Sequence, residues 1–389
     1  MSTVRFLKTD ASIWCLTPKA TVRVPRTLDD SAESSHALTG LTRRLEERGL
    51  MNPPLETSFS ATILTSSDCN FGCYYCFQNV ADGGDGPPDR IARTQLTDES
   101  ALKITAYIRR RMRSQQRSTA KILLFGGEPL MSFGPCLTVL EDLSDVLSHA
   151  SIITNGYLLT ESRATRLWKS GLKSVQVTFD GAREHHDTMR TTRAGGRPTF
   201  DRIIQNLRRV QEATSLQISI RLNVTSETVE GLPRFLEQAA ELDASQITLD
   251  LAVIRDYRWN LSSSSGASVK RTVDTLLAMA RESIAAGFTM ARPRNGGCSF
   301  CGPPPGEGGA VIGPDGTLYS SWETAGRPEY AMGTVETGYL SGGGEKWQSC
   351  QGFSSDHSPD LDHAGLVQDS FDANLLDMIH APRADGTAP

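Results

Sequence analysis

An α/β fold built on a parallel sheet is the fold class this sequence predicts, on three observations. From about residue 59, six strand candidates alternate with helical patterns over about 195 residues, and such alternation implies parallel strands joined by crossover helices. Several of these strands read as near-continuous apolar runs, as strands buried on both faces do. The chemically unusual residues all follow strands, at the carboxyl edge that carries the active site in parallel α/β folds. Six such units suffice for a partial barrel or for an open doubly wound sheet.

The elements follow in order. Residues 1–58 have mixed character: Val22 and Val24 suggest a short strand, Leu38, Leu41 and Leu45 a helix ending near Gly49, and Met51-Asn52-Pro53-Pro54 a linker. Strand one spans 61–65, followed by a cysteine loop and then the loop 82–88 (DGGDGPP). Thr97-Asp98-Glu99 starts a helix whose pattern runs over 101–113. Strand two is 121–125 (KILLF), followed by a helix over 137–147. Strand three is 151–154, then a helix over 161–170 that stops at Gly171. Strand four is 174–178, then a helix over 200–213. Strand five is 216–224, then a helix over 229–241, and strand six is 246–253. Beyond it, Ser262–Ser265 with Gly266 reads as a low-complexity loop and 269–286 as an amphipathic helix. The tail from Gly302 is rich in Gly, Pro and Asp. It carries one hairpin signal, Gly313-Pro314-Asp315-Gly316 between the apolar runs 310–312 and 317–319. Residues 381–389 read as a disordered tail.

The chain has 389 residues, with 38% hydrophobic and 22% charged, a composition that supports a globular core and excludes wholesale disorder. A net charge of −5 excludes the broad basic surface that non-specific nucleic-acid binding requires. The run Arg109-Arg110-Arg111-Met112-Arg113 sits at the end of a helix, where the dipole favours cations; a docking surface is the alternative. The N-terminus lacks the apolar core of a signal peptide. No stretch approaches the roughly 18–20 apolar residues of a membrane span. The expectation is a soluble cytoplasmic protein with no nucleic-acid or membrane partner.

Eight cysteines stand at 15, 69, 73, 76, 136, 298, 301 and 350. Three fall within eight residues and another pair is close, a clustering that favours metal binding over disulfides in a cytosolic chain. Cys69, Cys73 and Cys76 follow the spacing Cys-x3-Cys-x2-Cys. Thiolates are soft ligands suited to iron–sulfur clusters. Three of them leave one iron of a 4Fe–4S cube free for a small molecule, whereas a structural zinc site needs a fourth ligand. The nearest histidines, His36 and His149, lack local ligand spacing.

The segment Cys69–Cys76 resembles the signature of the radical S-adenosylmethionine (SAM) superfamily. That resemblance implies a partial (β/α)6 TIM-like barrel, with a 4Fe–4S cluster on Cys69, Cys73 and Cys76. The open iron would hold the amino and carboxylate groups of SAM, and an electron would cleave the sulfonium to a 5′-deoxyadenosyl radical. Tyr75 matches the family's aromatic near adenine. Gly126-Gly127-Glu128-Pro129 resembles the GGEP motif after strand two: glycines permit close backbone approach, and a carbonyl or the Glu128 carboxylate is the candidate acceptor for the ammonium of SAM. Thr154-Asn155-Gly156 resembles the TNG at the end of strand three. Thr178 and Asp180 resemble polar positions after strand four, and Arg221 and Asn223 lie where the family contacts the ribose and carboxylate.

The run Asp180-Gly181, His186-Asp187, Arg190, Gly196 and Thr199-Phe200-Asp201 resembles the branch that modifies peptides and proteins, whose members usually carry a C-terminal SPASM or twitch domain with extra clusters. Here Cys301 stands about where the first auxiliary ligand would be, and residues 314–319 resemble the hairpin that follows. Ser321 occupies the next ligand position, and only Cys350 remains of the later run. Cys298, Cys301 and Cys350 could hold one auxiliary iron–sulfur cluster, could be vestigial, or one could serve catalysis; two auxiliary clusters lack ligands.

The expected divisions are 1–58, an N-terminal element for peptide recognition or capping; 59–255, the radical SAM partial barrel; 256–297, a linker and helix; and 298–389, a degenerate SPASM/twitch-like extension. The function the resemblance implies is hydrogen abstraction from a ribosomally made precursor peptide, with an electron donor such as flavodoxin or ferredoxin. Tailoring of a small metabolite and a non-catalytic peptide-binding scaffold are the alternatives. Cys298, Cys301, Asp250, Arg255 and Asp256 are the candidates for a donor or acceptor near the substrate radical.

Overall fold

The computed structural model describes residues 4–26, 35–52, 57–80, 90–225, 227–254, 266–295, 306–340, 347–348 and 359–381. The N-terminal residues build a three-stranded antiparallel sheet, β1 (Arg5–Lys8), β2 (Ser12–Leu16) and β3 (Thr21–Pro25), followed by α1 (Ser35–Glu47). Then come β4 (Ser58–Ser66), α2 (Asp98–Ser114), β5 (Thr119–Gly126), α3 (Phe133–Asp142), β6 (Leu147–Thr154), α4 (Glu161–Lys169) and β7 (Ser174–Phe179). A short α5 (Arg183–Met189) precedes α6 (Phe200–Ala213), β8 (Gln217–Val224), α7 (Leu232–Gln238), β9 (Ile247–Val253), α8 (Gly266–Ala285) and β10 (Thr289–Met290). The remainder holds β11 (Gly309–Ile312), β12 (Leu318–Tyr319), a small ribbon of β13 (Gly333–Thr334) and β14 (Gly338–Tyr339), and the long helix α9 (Pro359–Ile379).

The main sheet has nine strands in the order β10-β9-β8-β7-β6-β5-β4-β11-β12, parallel throughout except for the β11–β12 hairpin. β4 to β9 are neighbours in sequential order. Right-handed crossovers between successive neighbours set the helices on one face, which is the winding of a TIM-type barrel. The expected partial (β/α)6 barrel is therefore present, with β10 and β11 added at its two edges.

Alternation along the strands divides the two faces. Phe59, Ala61 and Ile63 of β4, Ile122 and Leu124 of β5, Val175 and Val177 of β7, and Ile218 and Ile220 of β8 are buried in one core with Ile104, Tyr107, Leu167, Leu207 and Phe235 of the helices. The opposite, inner face is split. Over β4 to β6 it is apolar: Leu64 and Phe125 pack with Val311, Tyr319 and Ala325, against Leu123, Ile153 and Trp322. Over β7 to β9 it is polar and half-open. Register aligns Thr178, Arg221 and Asp250 in one row, Gln176, Ser219 and Thr248 in the next, and Ser174 with Gln217 in a third. The expectation of strands buried on both faces thus holds for β4, whose inner side lies under the C-terminal hairpin, and fails for β7 to β9, whose inner side lines a cavity.

Two expectations are corrected at element level. The helix expected over 137–147 ends at Asp142, and β6 already begins at Leu147. Arg109 reaches across from α2 to Asp145 Oδ1 (2.6 Å) and to the Asp142 carbonyl, pinning the turn between them. In the same basic run Arg111 donates to the Gly306 carbonyl (2.9 Å) and Arg110 to that of Val335, so these arginines join α2 to its neighbours. The second correction is α9, which the Asp-rich tail hid. Its Ala373 and Leu376 cover Leu7, Trp14 and Leu16 of the N-terminal sheet. Arg5 holds Asp369 and Asp372, each at 2.6 Å, and Asp377 accepts from Trp14 Nε1 (3.0 Å) and Thr9 Oγ1 (2.6 Å). Aspartates that read as loop composition are the polar anchors of a helix.

Phe371 of α9 is 2% exposed and belongs to the main core. Phe371→Ala is expected to lower the unfolding free energy by about 3–5 kcal/mol in urea titrations. A loss below about 1 kcal/mol would mean that α9 contributes little to that core.

Candidate functional site

The cysteine loop leaves the carboxyl end of β4 and is held on every side by backbone. Asp68 Oδ1 accepts from the Cys69 amide (2.9 Å), and the Asp68 carbonyl accepts from the Glu128 amide (2.9 Å). The Gly72 amide donates to the Thr191 carbonyl (3.1 Å), the Arg193 amide to that of Asn70 (2.8 Å), and Asn79 Nδ2 to the carbonyls of Cys73 (3.1 Å) and Tyr74 (2.9 Å). Cys69, Cys73 and Cys76 are free thiols that all line one cavity of about 600 Å³. Burial pushes the Cys69 thiol up to about 12, with the Glu128 carboxylate adding to it, and burial pushes Cys73 to about 11. Both stay protonated at neutral pH until a soft metal displaces the proton.

The glycines of the next turn are demanded by close packing. A Cβ on Gly126, whose φ is +138°, would lie 2.2 Å from the Ser66 carbonyl oxygen. One on Gly127 would lie 2.3 Å from the Asp68 carbonyl oxygen and 2.9 Å from Arg90 Nη2. The turn therefore sits directly against the cysteine loop. Glu128 is fully buried: its carboxylate accepts from Thr154 Oγ1 (2.7 Å), the Asn155 amide (2.9 Å) and the Leu130 amide (3.0 Å). Burial raises its pKa, and these three donors oppose the shift. Of the two acceptors expected for an ammonium, the carboxylate is thus committed inside the protein, whereas Gly126 and Gly127 line the cavity. Pro129 begins the short 3-10 turn behind it.

Asn155, at the end of β6, lines the cavity and donates to Asn70 Oδ1 (2.8 Å), with Cys69 Sγ at 3.8 Å. Thr154, Thr178, Arg221 and Asn223 line it as well. Asp180 does not: only 2% exposed, it accepts from the Tyr75 hydroxyl (2.5 Å) and from Asn223 Nδ2 (2.8 Å). The Tyr75 oxygen in turn accepts from Arg190 Nη1 (2.5 Å). Burial drives the Tyr75 phenol well above its ordinary value, so it remains a donor. Asp180 positions Tyr75 and Asn223 and stands back from the cavity.

The sequence run from His186 to Asp201 is scaffolding for this network. Asp187 Oδ1 accepts from the amides of Thr199 (2.7 Å) and Phe200 (2.9 Å) at the start of α6. Thr199 Oγ1 donates to the Arg190 carbonyl (2.6 Å), which leaves it to accept from His186 Nε2 (3.1 Å). His186 Nδ1 accepts from the Asp180 amide (3.3 Å), so the ring is the neutral Nε2–H tautomer.

Asp250 lies beyond the cavity's far wall, 3.4 Å from Arg221 Nη1, and faces a second cavity of about 940 Å³ over the polar rows of β7 to β9. Gln176, Arg221 and Val253 line both cavities, so the two adjoin. Arg255, Asp256, Cys298, Cys301 and Cys350 lie outside the described residues. Ser321 is buried and bonded to Thr324 Oγ1 (3.2 Å). Arg90, Gln176, Phe125 and Trp322 line the cysteine cavity without having been singled out in the sequence. Arg90 carries no sequence pattern, whereas Arg190 lay within the quoted run.

The donor set fits an iron–sulfur cube. Three soft ligands open onto one cavity. Asn70 Nδ2 and Arg90 Nε are buried beside them without a hydrogen-bond partner. The adjoining polar groups and the 600 Å³ volume suit a nucleoside-sized ligand.

His186 makes one consequence measurable. Burial, with the nearby Arg190 charge, holds its pKa well below the ordinary 6.5, so below about that pH the unfolded chain binds a proton that the folded one refuses. Stability present above pH 6.5 is therefore lost as pH falls toward the folded value. His186→Gln is expected to flatten the decline in thermal midpoint between about pH 7 and about pH 5. Equal slopes in the two proteins would overturn this account.

Residues 63–239 match the family described as the Radical SAM superfamily. The chain is 24% identical over 208 residues to a probable GTP 3′,8-cyclase of Methanocaldococcus jannaschii, covering 52% of this chain and 63% of that one. It is 26% identical over 168 residues to a PqqA peptide cyclase of Granulibacter bethesdensis, covering 41% of each. It thus spans less than two thirds of either relative. The solved structure of native anSMEcpe with bound AdoMet superposes with a TM-score of 0.55 at 16% identity, over 80% of this chain and 84% of that one, a likeness of fold. Three cysteines at the end of β4, the glycine turn packed on them and this match together identify residues 63–239 as a radical SAM domain.

Proposed function

We propose that this chain is a radical SAM maturase that modifies a ribosomally made precursor peptide. The observation that carries the reading is the junction of the two cavities. The cysteine cavity opens, past Gln176 and Arg221, onto a larger one whose floor is three registered rows of polar side chains. A floor of evenly spaced donors and acceptors suits an extended backbone, which needs hydrogen-bond partners along its length.

Cys69, Cys73 and Cys76 would hold a 4Fe–4S cluster. The Gly126–Gly127 backbone, Asn155, Thr178, Arg221 and Asn223 would receive the polar groups of SAM. When bound, this pair supplies a 5′-deoxyadenosyl radical that takes a hydrogen atom from the substrate, and a small electron donor such as flavodoxin or ferredoxin supplies the electron. The chain's own work is positioning. Arg190 and Asp180 fix Tyr75 at the rim, Asp180 also orients Asn223, and the covered half of the inner face keeps water from one side of the site. Asp250, paired with Arg221 and lining the second cavity, keeps its proposed role near the substrate. Arg255 and Asp256 remain candidates near the substrate; Cys298, Cys301 and Cys350 hold one auxiliary cluster, are vestigial, or include a catalytic thiol. The proposed divisions stay at 1–58, 59–255, 256–297 and 298–389, the first now tied to α9. The likeness to a PqqA peptide cyclase supports a peptide substrate. The likeness to a probable GTP 3′,8-cyclase favours, as a second reading, tailoring of a small metabolite.

Anaerobic reconstitution is expected to give an iron-dependent absorbance near about 400 nm. Replacing Cys69, Cys73 and Cys76 together by alanine should remove the part of that band and of the bound iron that belongs to this cluster, and should abolish SAM cleavage. With SAM and a reductant, release of 5′-deoxyadenosine should rise on addition of the peptide encoded by a short reading frame beside the gene. Release that responds to GTP and ignores the peptide would replace the peptide reading with the metabolite one.

A further inference from the structure

We propose that Arg90 tunes the reduction potential of the cluster by donating a hydrogen bond to the Cys76 thiolate; this rests on the reading that Cys69, Cys73 and Cys76 hold a 4Fe–4S cube. Arg90 Nη1 lies 3.3 Å from Cys76 Sγ. Its other terminal nitrogen, Nη2, is clamped by Gln78 Oε1 (2.5 Å) and the Ser67 carbonyl (3.3 Å). Gln78 is itself 1% exposed, so the clamp is part of the core. The backbone adds its own register: Asn79 and Arg90 form an antiparallel bridge, and the Ile91 amide donates to the Gln78 carbonyl (3.0 Å).

Space for the guanidinium comes from the glycine turn. A Cβ on Gly127 would stand 2.9 Å from Nη2, so the second glycine of the turn leaves room for this cation as well as for the Asp68 carbonyl. A long, flexible side chain is thereby held in one geometry, with its charge at the wall of the cysteine cavity.

The sign of the effect follows from charge. One-electron reduction, by dithionite or a titanium(III) reductant in the assay, adds one negative charge to the cube and its thiolates, with no bond made or broken. A cation and an N–H donor at a ligating sulfur stabilise the more negative, reduced form and so raise the potential. A purely structural Arg90 would affect loop order and iron loading and leave the potential of loaded protein where it was.

The test is a potentiometric titration followed by electron paramagnetic resonance on the anaerobically reconstituted full chain, with iron content measured alongside. Arg90→Gln is expected to load iron like the wild type and to shift the potential to more negative values. Arg90→Lys, which keeps the charge, should recover part of the shift. Gln78→Leu, which removes the nearer of the two acceptors on Nη2 and leaves the arginine, should shift it in the same direction by less, and it supplies the reading if Arg90→Gln fails to fold. An iron-loaded Arg90→Gln or Gln78→Leu protein with the wild-type potential overturns the proposal and leaves the cluster standing. A wild-type chain that binds no cube overturns the proposed function and this inference with it.

Discussion

The carboxylate of Glu128 has no access to solvent, and three donors converge on it, two from the end of β6 and one from its own turn. Hydrogen bonds to a charged acceptor contribute about 1.5–3 kcal/mol each, and stranding such an acceptor in the interior costs more than any one of them. The carboxylate thus locks the carboxyl ends of β5 and β6 together. Through its own amide, on the Asp68 carbonyl, it also locks the cysteine loop that leaves β4. Three consecutive strand ends are fixed relative to one another before any ligand arrives. The side chain that looks most available for ligand chemistry in the sequence instead positions the sulfurs.

A second network does the same for the other half of the rim. Asp180 joins Tyr75 of the cysteine loop to Asn223 of β8, Arg190 closes the pair with Tyr75, and His186, Asp187 and Thr199 hold the connecting loop. The two networks meet at the cysteine loop, which is therefore anchored to both sides of the barrel mouth. Order of this kind is what low-tolerance radical chemistry needs, since a misplaced hydrogen atom is a side reaction.

The inner face of the sheet explains how one fold can hold a dry site beside a wet one. Over β4 to β6 it is covered by the C-terminal hairpin and by Trp322 just after it, which donates to Thr62 Oγ1 (3.1 Å) and packs on Phe125. Over β7 to β9 it stays polar and open, bordered by Arg5 and by Gln368, Phe371 and Asp372 of α9. The first strand and the last helix of the chain thus border the larger cavity, which joins the N-terminal element to the barrel's working face.

Much of this was legible in the sequence because it depends on local pattern. Strand–helix alternation gave the parallel sheet, α6 falls where its apolar period placed it, and the cysteine spacing, glycine turn and Thr154-Asn155-Gly156 marked the right edge. Each is a statement about neighbours along the chain, and short-range geometry enforces it. Which way a side chain faces, and what it meets there, depends on contacts between distant segments. Only the tertiary structure turned Glu128 and Asp180 inward, spent the aspartates of α9 on Arg5 and Trp14, and brought Arg90 to Cys76. A charged side chain reads alike whether it meets water, a ligand or a buried partner, and the partner is chosen by packing across hundreds of residues, as in the 364 that separate Arg5 from Asp369.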